Sequence, residues 1–273
     1  TLLTGSGVPA DTPPPADTSN FNTVLSYAMD SCIGFENAPA GTETVELLLN
    51  GSTYTHSGVA DVNYNPYSWN PAIAEEFGIT RHAQDLFALQ SQQRYWQSCE
   101  KLKTEITPVA CEGGVVLADE NPRRTTREKL ASLSPAFQSG GTVTAGNSSS
   151  LNDGAAIVVL AARDWADAMG YQYSFIVRGF VNVGVAPGRM GLGPVGAIRG
   201  LWDRFALNSG DIDLYEINEA FAAQTLAVLQ SLNLSSETVN VNGGAIALGH
   251  PLGASGARVL VTLIHEMARR DSG

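Results

Sequence analysis

Apolar positions recur with the period of an α-helix in several segments of the chain. The pattern predicts helices over residues 81–97, 195–207, 219–232 and 254–270. Thr80 is a suitable N-cap for the first of them. The expected inward-facing residues of the first helix are Ala83, Leu86, Phe87 and Gln90, and those of the last helix are Ala257, Val261, Ile264 and Ala268. The expected outward-facing residues of the last helix are Arg258, Thr262, His265 and Arg269.

Short apolar runs between these segments predict β-strands. Residues 155–160 form a β-branched run that is typical of a strand buried on both faces. Residues 174–185 predict a second strand, and residues 239–242 a short strand or strand end. Residues 1–20 are rich in Pro, Thr, Ser and Gly, which is typical of an extended lead-in, whereas residues 21–70 show no period. Strands that alternate with helices in the rest of the chain predict an α/β fold.

Composition and charge narrow the class of protein. With 44% hydrophobic and 16% charged residues, the 273-residue chain is unlike a disordered protein and can bury a core. The net charge is −11, and residues 1–80 hold nine acidic and no basic residues, so we expect no nucleic-acid partner. The apolar runs are too short to span a bilayer, so we expect no membrane partner.

The N-terminus has neither the Arg-rich composition of a transit peptide nor the charged segment followed by an apolar segment that is typical of a secretory signal. Together with only three cysteines, this favours a cytoplasmic location.

The cysteines and histidines do not suggest a metal site. Cys99 and Cys111 lie twelve residues apart, and none of the four histidines pairs with them at a metal-ligand spacing. Cys32 is chemically able to act as a nucleophile, but a small apolar role is more common for an isolated cysteine.

Residues 191–196 match the G-x-G-x-x-G pattern of dinucleotide-binding loops. Pro194 removes one of the backbone amides that would face a pyrophosphate, and Pro187 and Gly188 interrupt the approach to the loop. A glycine-rich connecting loop is therefore the better interpretation. An oxidoreductase that binds a dinucleotide is the less favoured alternative.

Residues 240–256, N-V-N-G-G-A-I-A-L-G-H-P-L-G-A-S-G, are rich in glycine and directly precede the last predicted helix. Glycine allows a backbone to approach a ligand closely. His250 lies between Gly249 and Pro251 near a helix N-terminus, where free amides and a positive potential keep an imidazole neutral and able to accept a proton. The alternative is a structural histidine in a tight turn, and the density of glycine argues against it.

Asn218 and Glu219 lie in the segment E-I-N-E-A-F-A-A-Q, residues 216–224, at the expected start of a helix. Taken alone, the two residues predict helix capping, because Asn at the N-cap and acids in the first turn stabilise the amino end of a helix.

Together these segments resemble the thiolase family. Residues 240–256 match its second signature, N-x-x-G-G-x-I-A-x-G-H-P-x-G-x-S-G, at every fixed position, and residues 218–222 match its N-E-A-F-A motif. Residues 142–154 resemble its T-V-T-A-G-N-x-S-x-x-N-D-G loop, and residues 190–194 its M-G-x-G-P turn, which accounts for the dinucleotide pattern. The resemblance is dense from about residue 75 to residue 270 and weak before it.

The resemblance implies a layered αβαβα fold with two similar halves, mixed sheets and an inserted loop domain. Residues 1–30 and 147–165 would belong to the N-terminal half, residues 31–146 to the loop domain, and residues 166–273 to the C-terminal half. The implied activity is thiolytic cleavage of 3-ketoacyl-CoA, or condensation of acetyl-CoA units, through a cysteine acyl-enzyme. Such an acetyl-CoA acyltransferase of bacterial type serves fatty acid metabolism in the synthetic or the degradative direction.

The same resemblance implies roles for single residues. His250 would take the proton of the nucleophilic cysteine and line an oxyanion hole, and Asn218 would hold the water that completes this hole. Ser149 and Ala145 would contact the pantetheine arm of CoA, and Phe221 would help to wall the acyl pocket. Acyl-CoA and CoA are the implied ligands, with no separate cofactor and no metal. Family members are dimers or tetramers, so a homodimer or homotetramer is expected.

The two catalytic cysteines of the family have no counterpart in the sequence. The context of the nucleophile, N-x-x-C-x-S-G, is absent from residues 1–28, and the C-x-G-x-G motif of the second cysteine would follow residue 273. Intact His250 and Asn218 motifs therefore favour a thiolase whose sequence extends beyond these residues. The alternative is a thiolase-like protein that binds CoA without catalysis.

Overall fold

The computed structural model describes residues 42–49, 52–59, 69–171 and 175–270, and its internal contacts divide the chain into two units, residues 1–62 and 63–273. In the first unit, strands β1 (Thr42–Leu49) and β2 (Ser52–Val59) form an antiparallel pair with Leu49 opposite Ser52. The two residues between them are Asn50-Gly51, a pair that favours two-residue hairpin turns. The predicted lead-in and Cys32 lie outside the described residues.

The second unit is mainly helical. Its helices are α1 (Trp69–Glu76), α2 (Arg81–Leu102), α3 (Arg127–Ala131), α4 (Arg163–Ala168), α5 (Gly193–Phe205), α6 (Ala222–Leu232), α7 (Ala245–Leu248) and α8 (Ser255–Arg270). Short 3-10 helices cover Lys103–Glu105, Pro187–Leu192 and Ser209–Asp211. Strands β3 (Val109–Cys111) and β4 (Gly114–Val116) form a small antiparallel hairpin. The domain boundaries implied by the resemblance stay predictions.

All four predicted helices are confirmed, with shifted ends. Helix α2 begins after Thr80, whose hydroxyl accepts a hydrogen bond from the Ala83 amide at 3.2 Å, as expected of an N-cap. Helix α6 begins at Ala222, three residues later than the pattern predicts, because the chain before it stays extended. In this extended stretch Tyr215 forms an isolated parallel bridge to Val239. A short strand or strand end is predicted over residues 239–242, and the structure has only this bridge there.

The faces predicted for two helices are wrong. Of the four inward residues expected in α2, only Phe87 is buried and the other three are half-buried, and in α8 the buried residues include Thr262, from the expected polar face. Both helices bury polar side chains that have hydrogen-bond partners in neighbouring segments. For example, the Gln92 amide donates to the Ile246 carbonyl at 3.1 Å. A buried polar group with a partner costs little, so hydrophobic periodicity alone does not identify the inner face.

Helix α6 lies at the centre of the core and packs against α1, α2 and α5. Its residues Ala222, Ala227 and Val228 are completely buried. A helix that is apolar and rich in small residues on several sides allows its neighbours to approach closely. The helix thereby fixes the position of residue 221, where the segment that carries Asn218 ends.

The two longest predicted strands are wrong. In the described part of the chain, neither residues 155–160 nor residues 175–185 form a strand, and the Ile157 side chain is 77% exposed. A strand exists only where another strand satisfies its backbone groups. Among the described residues, none pairs with either run, so the apolar sequence has no sheet to join.

A network of charged and polar groups joins α2 to α8. The Glu266 carboxylate accepts hydrogen bonds from Lys101, Asn242, Arg269 and Arg270 at 2.8–3.3 Å. Burial raises the pKa of this carboxyl, but these hydrogen bonds and the Lys101 charge outweigh it and lower the pKa from 4.5 to about 2. The stabilisation that Glu266 gives is therefore present above its ordinary pKa and is lost as the pH falls towards 2.

We expect Glu266→Gln to lower the free energy of unfolding by about 2 kcal/mol at pH 7, because charge-assisted hydrogen bonds are lost. The difference from wild type should shrink steadily between pH 5 and pH 2. Urea denaturation at several pH values measures this. The matched control is Glu100→Gln on α2, because Glu100 pairs with Lys103 at the surface. A difference that stays constant with pH would contradict the assignment.

In the part of the chain that the structure describes, no helix is both long enough and apolar enough to cross a membrane.

Candidate active site

Three segments meet in the second unit: the middle segment (147–152), the Asn218 segment (215–221) and the His250 segment (249–255). The Ser149 amide donates to the Ala220 carbonyl at 3.0 Å, and the His250 amide donates to the Ser150 carbonyl at 2.9 Å. The middle segment therefore lies between the other two and holds their backbones in place.

The imidazole of His250 contacts a side chain at each ring nitrogen. Nδ1 lies 2.6 Å from Ser255 Oγ, and Nε2 lies 3.4 Å from Asn218 Nδ2. The Ser255 hydroxyl donates its proton to the Pro251 carbonyl at 3.0 Å, so its oxygen accepts from Nδ1–H of the imidazole. This network assigns the tautomer whose Nε2 is unprotonated, with a lone pair that accepts a hydrogen bond from Asn218 Nδ2. Nε2 is therefore the atom that can accept a proton.

Asn218 offers both a donor and an acceptor beside the imidazole. Its Nδ2 faces His250, while its Oδ1 is buried and has no hydrogen-bond partner among the described residues. A buried amide oxygen without a partner is suited to accept a hydrogen bond from water or a ligand. The capping alternative is wrong, because the N-cap of α6 is Phe221.

The environment of His250 favours the neutral ring. Burial lowers the pKa of the imidazole, and the positive charge of Arg258 lowers it further. A neutral imidazole with an unprotonated Nε2 can act as a general base.

Glu219 anchors the Asn218 segment to its surroundings. Its carboxylate is completely buried and accepts hydrogen bonds from Ser91 Oγ at 2.7 Å and Asn240 Nδ2 at 2.9 Å. A third hydrogen bond comes from the Ile246 amide at 3.3 Å. Burial raises the pKa of this carboxyl, and the three donors oppose that effect. The Glu219 carboxyl group thus ties the Asn218 segment to helix α2 and to the residues that precede the His250 segment.

The other predicted site residues lie around the same three segments. Ser149 is half-buried, and its hydroxyl donates to the Ala220 carbonyl at 3.0 Å. Ala145 is exposed in the turn that precedes the middle segment. Phe221 is buried and packs edge-on against Phe137, with ring centroids 5.8 Å apart. The two rings form an apolar contact at the end of the Asn218 segment.

The glycine-rich segment 191–196 has the wrong context for a dinucleotide. It spans the end of the 3-10 helix Pro187–Leu192 and the start of α5, and residues 175–186, which directly precede that 3-10 helix, form no strand. The strand–turn–helix context of a dinucleotide loop is therefore missing, and the oxidoreductase alternative has no structural support.

Cys99 is half-buried on α2, and Cys111 is exposed on β3. Within residues 69–171 and 175–270, no three His, Cys, Asp or Glu side chains cluster in a way that could hold a metal ion.

Sequence reasoning missed three side chains at the site: Ser255, Phe137 and Arg258. Ser255 belongs to the recognised signature, and a hydroxyl five residues after a candidate base is a signal that could have been used. The placement of Phe137 against Phe221, and of Arg258 near His250, depends on contacts between distant segments.

If the whole protein has the acyl-transfer activity that the family resemblance implies, we expect Ser255→Ala to reduce it about 10- to 100-fold, because a hydrogen bond to the ring that becomes charged is lost. Steady-state kinetics measure the loss in kcat. Ser255→Thr keeps the hydroxyl and should retain more activity than the alanine variant. Equal activity of the alanine variant and the wild type would contradict the role of Ser255 in orienting His250.

Sequence models of two domains match the chain: the thiolase N-terminal domain at residues 53–164 and the thiolase C-terminal domain at residues 171–273. The acetyl-CoA acetyltransferase of Pseudomonas aeruginosa is 50% identical over 208 residues, which are 73% of this chain and 53% of that protein. The chain spans about half the length of the curated relatives it matches.

Solved thiolase structures share the fold. Human mitochondrial 3-ketoacyl-CoA thiolase matches with a TM-score of 0.73 at 32% identity, over 93% of this chain and 71% of that one. The same human enzyme in complex with CoA matches with a TM-score of 0.72 at 31% identity, over 93% and 70% of the two chains. The dimeric peroxisomal thiolase of Saccharomyces cerevisiae matches with a TM-score of 0.68 at 39% identity, over 72% and 52%.

Because the two domain models together match most of the sequence and the human thiolase aligns over nearly all of it, the chain belongs to the thiolase family and has its α/β fold.

Proposed function

We propose that the whole protein is a thiolase-type acyltransferase that cleaves 3-ketoacyl-CoA with CoA or, in reverse, condenses acetyl-CoA units. The observation that carries this proposal is the contact between His250 Nε2 and Asn218 Nδ2 at 3.4 Å. It brings the two motifs implied by the family resemblance together, although they are 32 residues apart in sequence.

His250 acts as the base. Its Nε2 takes the proton of the nucleophilic cysteine, because a thiol attacks a carbonyl only as its thiolate. The thiolate forms a bond to the 3-keto carbon, and the bond between carbons 2 and 3 breaks. Acetyl-CoA leaves once its α-carbon takes a proton from the second catalytic cysteine that the family resemblance implies. The acyl group then passes from the first cysteine to the sulfur of a second CoA, whose thiol proton returns to the second cysteine. The protonated Nε2–H then donates to the oxygen that gains negative charge.

Asn218 completes the oxyanion hole through water. Its unpartnered Oδ1 accepts a hydrogen bond from a water molecule, whose second proton points to the developing oxyanion. A preorganised donor of this kind contributes about 10²- to 10³-fold to the rate.

The substrate arm lies along the middle segment and the turn before it. Ser149 and the exposed Ala145 contact the pantetheine of CoA, and Phe221 with its neighbour Phe137 walls the acyl pocket. A thiolase relative binds CoA in its solved structure, which supports this assignment. The reaction uses the CoA thioester as substrate and no separate cofactor or metal.

The protein works as a homodimer or homotetramer, in line with the dimeric yeast relative. We place it in the cytoplasm and in fatty acid metabolism.

Calorimetric titration of the 273-residue chain with acetyl-CoA tests the binding part of the proposal. We expect heat of binding, with weaker binding in a Phe221→Ala variant and unchanged binding in Trp165→Ala, because Trp165 lies on the exposed helix α4. Absence of heat in the wild type overturns the proposal.

Turnover is tested on the whole enzyme by the CoA-dependent loss of acetoacetyl-CoA, followed through the absorbance of its enolate. We expect CoA-dependent cleavage with one acetyl group held on the protein before CoA is added. Binding of acetyl-CoA without turnover would instead identify a CoA-binding protein without catalysis.

A further inference from the structure

Residues 238–240 pair with the start of the Asn218 segment, as a neighbouring strand would. The Tyr215 amide donates to the Thr238 carbonyl at 2.8 Å, and the Asn240 amide donates to the Tyr215 carbonyl at 2.9 Å. Asn240 itself has a φ of +47°, in the left-handed region, which turns the chain away from its extended path. The paired stretch of backbone therefore ends at Asn240, before it reaches the residues around Asn218.

The side chain of Asn240 continues this pairing where the backbone leaves it. Its Oδ1 accepts a hydrogen bond from the Ile217 amide at 2.8 Å, and its Nδ2 donates to the Ile217 carbonyl at 2.7 Å. The Asn240 amide group thus satisfies both backbone groups of one residue, as an opposite residue in an antiparallel pair does. Nδ2 also donates to Glu219 Oε1 at 2.9 Å. One side chain therefore holds the residues on both sides of Asn218.

These three contacts explain why an asparagine stands at position 240. They require an acceptor and two N–H donors on one short side chain, which the amide group of asparagine supplies. Asparagine also tolerates the left-handed backbone better than most residues with a Cβ. The side chain is buried, with Asn240 only 1% exposed, so water does not compete for the three hydrogen bonds.

The Asn218 side chain needs this support from its neighbours. Among the described residues, its hydrogen-bonding contact is that of Nδ2 with His250 Nε2 at 3.4 Å, and its Oδ1 has no partner. A polar side chain without a short hydrogen bond of its own is placed by the backbone on either side of it. The contacts of Asn240 with Ile217 and Glu219 therefore determine where Asn218 Oδ1 lies.

We propose that Asn240 is a positioning residue for Asn218: by holding Ile217 and Glu219, it places the Asn218 amide beside His250 and against the water of the oxyanion hole. The inference deepens the proposed function and rests on it, because the oxyanion hole is what requires Asn218 at this place. Asn218 acts on charge that develops in the transition state. Loss of the Asn240 side chain should therefore lower kcat and leave KM almost unchanged.

Steady-state thiolysis by the whole enzyme is the first test. We expect Asn240→Gly to lower kcat about 10- to 100-fold with KM within about threefold of wild type, because glycine adopts the same positive φ and only the side chain is lost. The matched control is Asn242→Gly. Asn242 is also buried, but its side chain contacts Ser98 and Glu266, so kcat should stay within about threefold of wild type. Equal losses of kcat in the two variants would assign Asn240 to packing alone and overturn the proposal.

A double-mutant cycle tests whether Asn240 acts through Asn218. In an Asn218→Ala enzyme, Asn240→Gly should lower kcat by no more than about a further twofold, because the side chain that it places is already absent. Losses of kcat that multiply would overturn the proposal. If the glycine variant does not fold, Asn240→Asp replaces it in both assays. Aspartate keeps the acceptor for the Ile217 amide but has neither N–H donor, so the same pattern of kcat and KM is expected.

Crystal structures of the whole enzyme test the placement without turnover. In the Asn240 variant, the distance between Asn218 Nδ2 and His250 Nε2 should increase by about 1 Å or more. In Asn242→Gly it should stay near 3.4 Å. An unmoved Asn218 in the Asn240 variant overturns the proposal whatever the activity. A wild-type enzyme without thiolysis refutes the proposed function and leaves this structural comparison to decide the role of Asn240.

Discussion

Replacing His250 with alanine is expected to lower the thiolysis rate of the whole enzyme by at least about 10³-fold, because one side chain supplies both the base and an oxyanion donor. The loss should fall on kcat more than on KM, since the imidazole acts on the thiol and on the developing charge. Rapid-quench measurement of acetyl transfer from acetoacetyl-CoA to the enzyme isolates the affected step.

The matched control for this variant is His82→Ala. His82 is exposed on the first turn of α2 and has no hydrogen bond to His250 or Asn218 among the described contacts, so its removal should leave kcat within about twofold. His250→Ala should still bind acetyl-CoA, because Phe221 and Ser149 remain. A His250→Ala enzyme with kcat near that of wild type would show that another group serves as the base and would remove the main support for the proposed function.

The helices of this fold follow from sequence because their signals are local. Thr80 caps α2 through an amide three residues away, and the apolar spacing within α6 needs no knowledge of its neighbours. Strands lack this independence. The run of residues 155–160 has the composition of a buried strand, yet Val159 is 89% exposed, because pairing depends on a partner elsewhere in the sequence.

The candidate site likewise contains features that the local sequence predicts and contacts that depend on packing between distant segments. The motifs around His250 and Asn218 are visible in the sequence, and the structure places their side chains 3.4 Å apart. The contacts of Ser255 and Arg258 could not be predicted, because they depend on how the start of α8 packs against the Asn218 segment. Sequence spacing says which residues share a helix turn but not what lies opposite that turn.

The glycines that precede His250 allow close packing of the backbone against other parts of the protein. The sequence predicts close approach of the backbone to a ligand. In the structure the backbone at Gly243 approaches helix α2, and that at Gly244 approaches Glu219: a Cβ at Gly244 would lie 2.3 Å from the Glu219 carboxyl carbon. These two glycines therefore serve the packing that holds the site together, and their effect should be visible in stability rather than in substrate binding.

We expect Gly243→Ala to lower the free energy of unfolding by about 2–5 kcal/mol, the largest stability effect among the changes considered for this chain. Two causes act together. Gly243 has a φ of +85°, which is unfavourable for a residue with a Cβ, and the added Cβ would lie 2.6 Å from the Ser91 carbonyl oxygen and 3.0 Å from the Tyr95 amide nitrogen. Both contacts are with backbone of α2, so no side-chain rotation can relieve them.

Guanidinium denaturation followed by far-UV circular dichroism measures this loss, and Gly113→Ala is the matched control. Gly113 lies between β3 and β4, where an added Cβ would meet nothing within 4 Å, so its variant should stay within about 1 kcal/mol of wild type. If Gly243→Ala were as stable as Gly113→Ala, helix α2 would not lie against residues 243–244 as described. The anchoring of Glu219 by Ser91, and with it the support of the Asn218 segment, would then lose its structural basis.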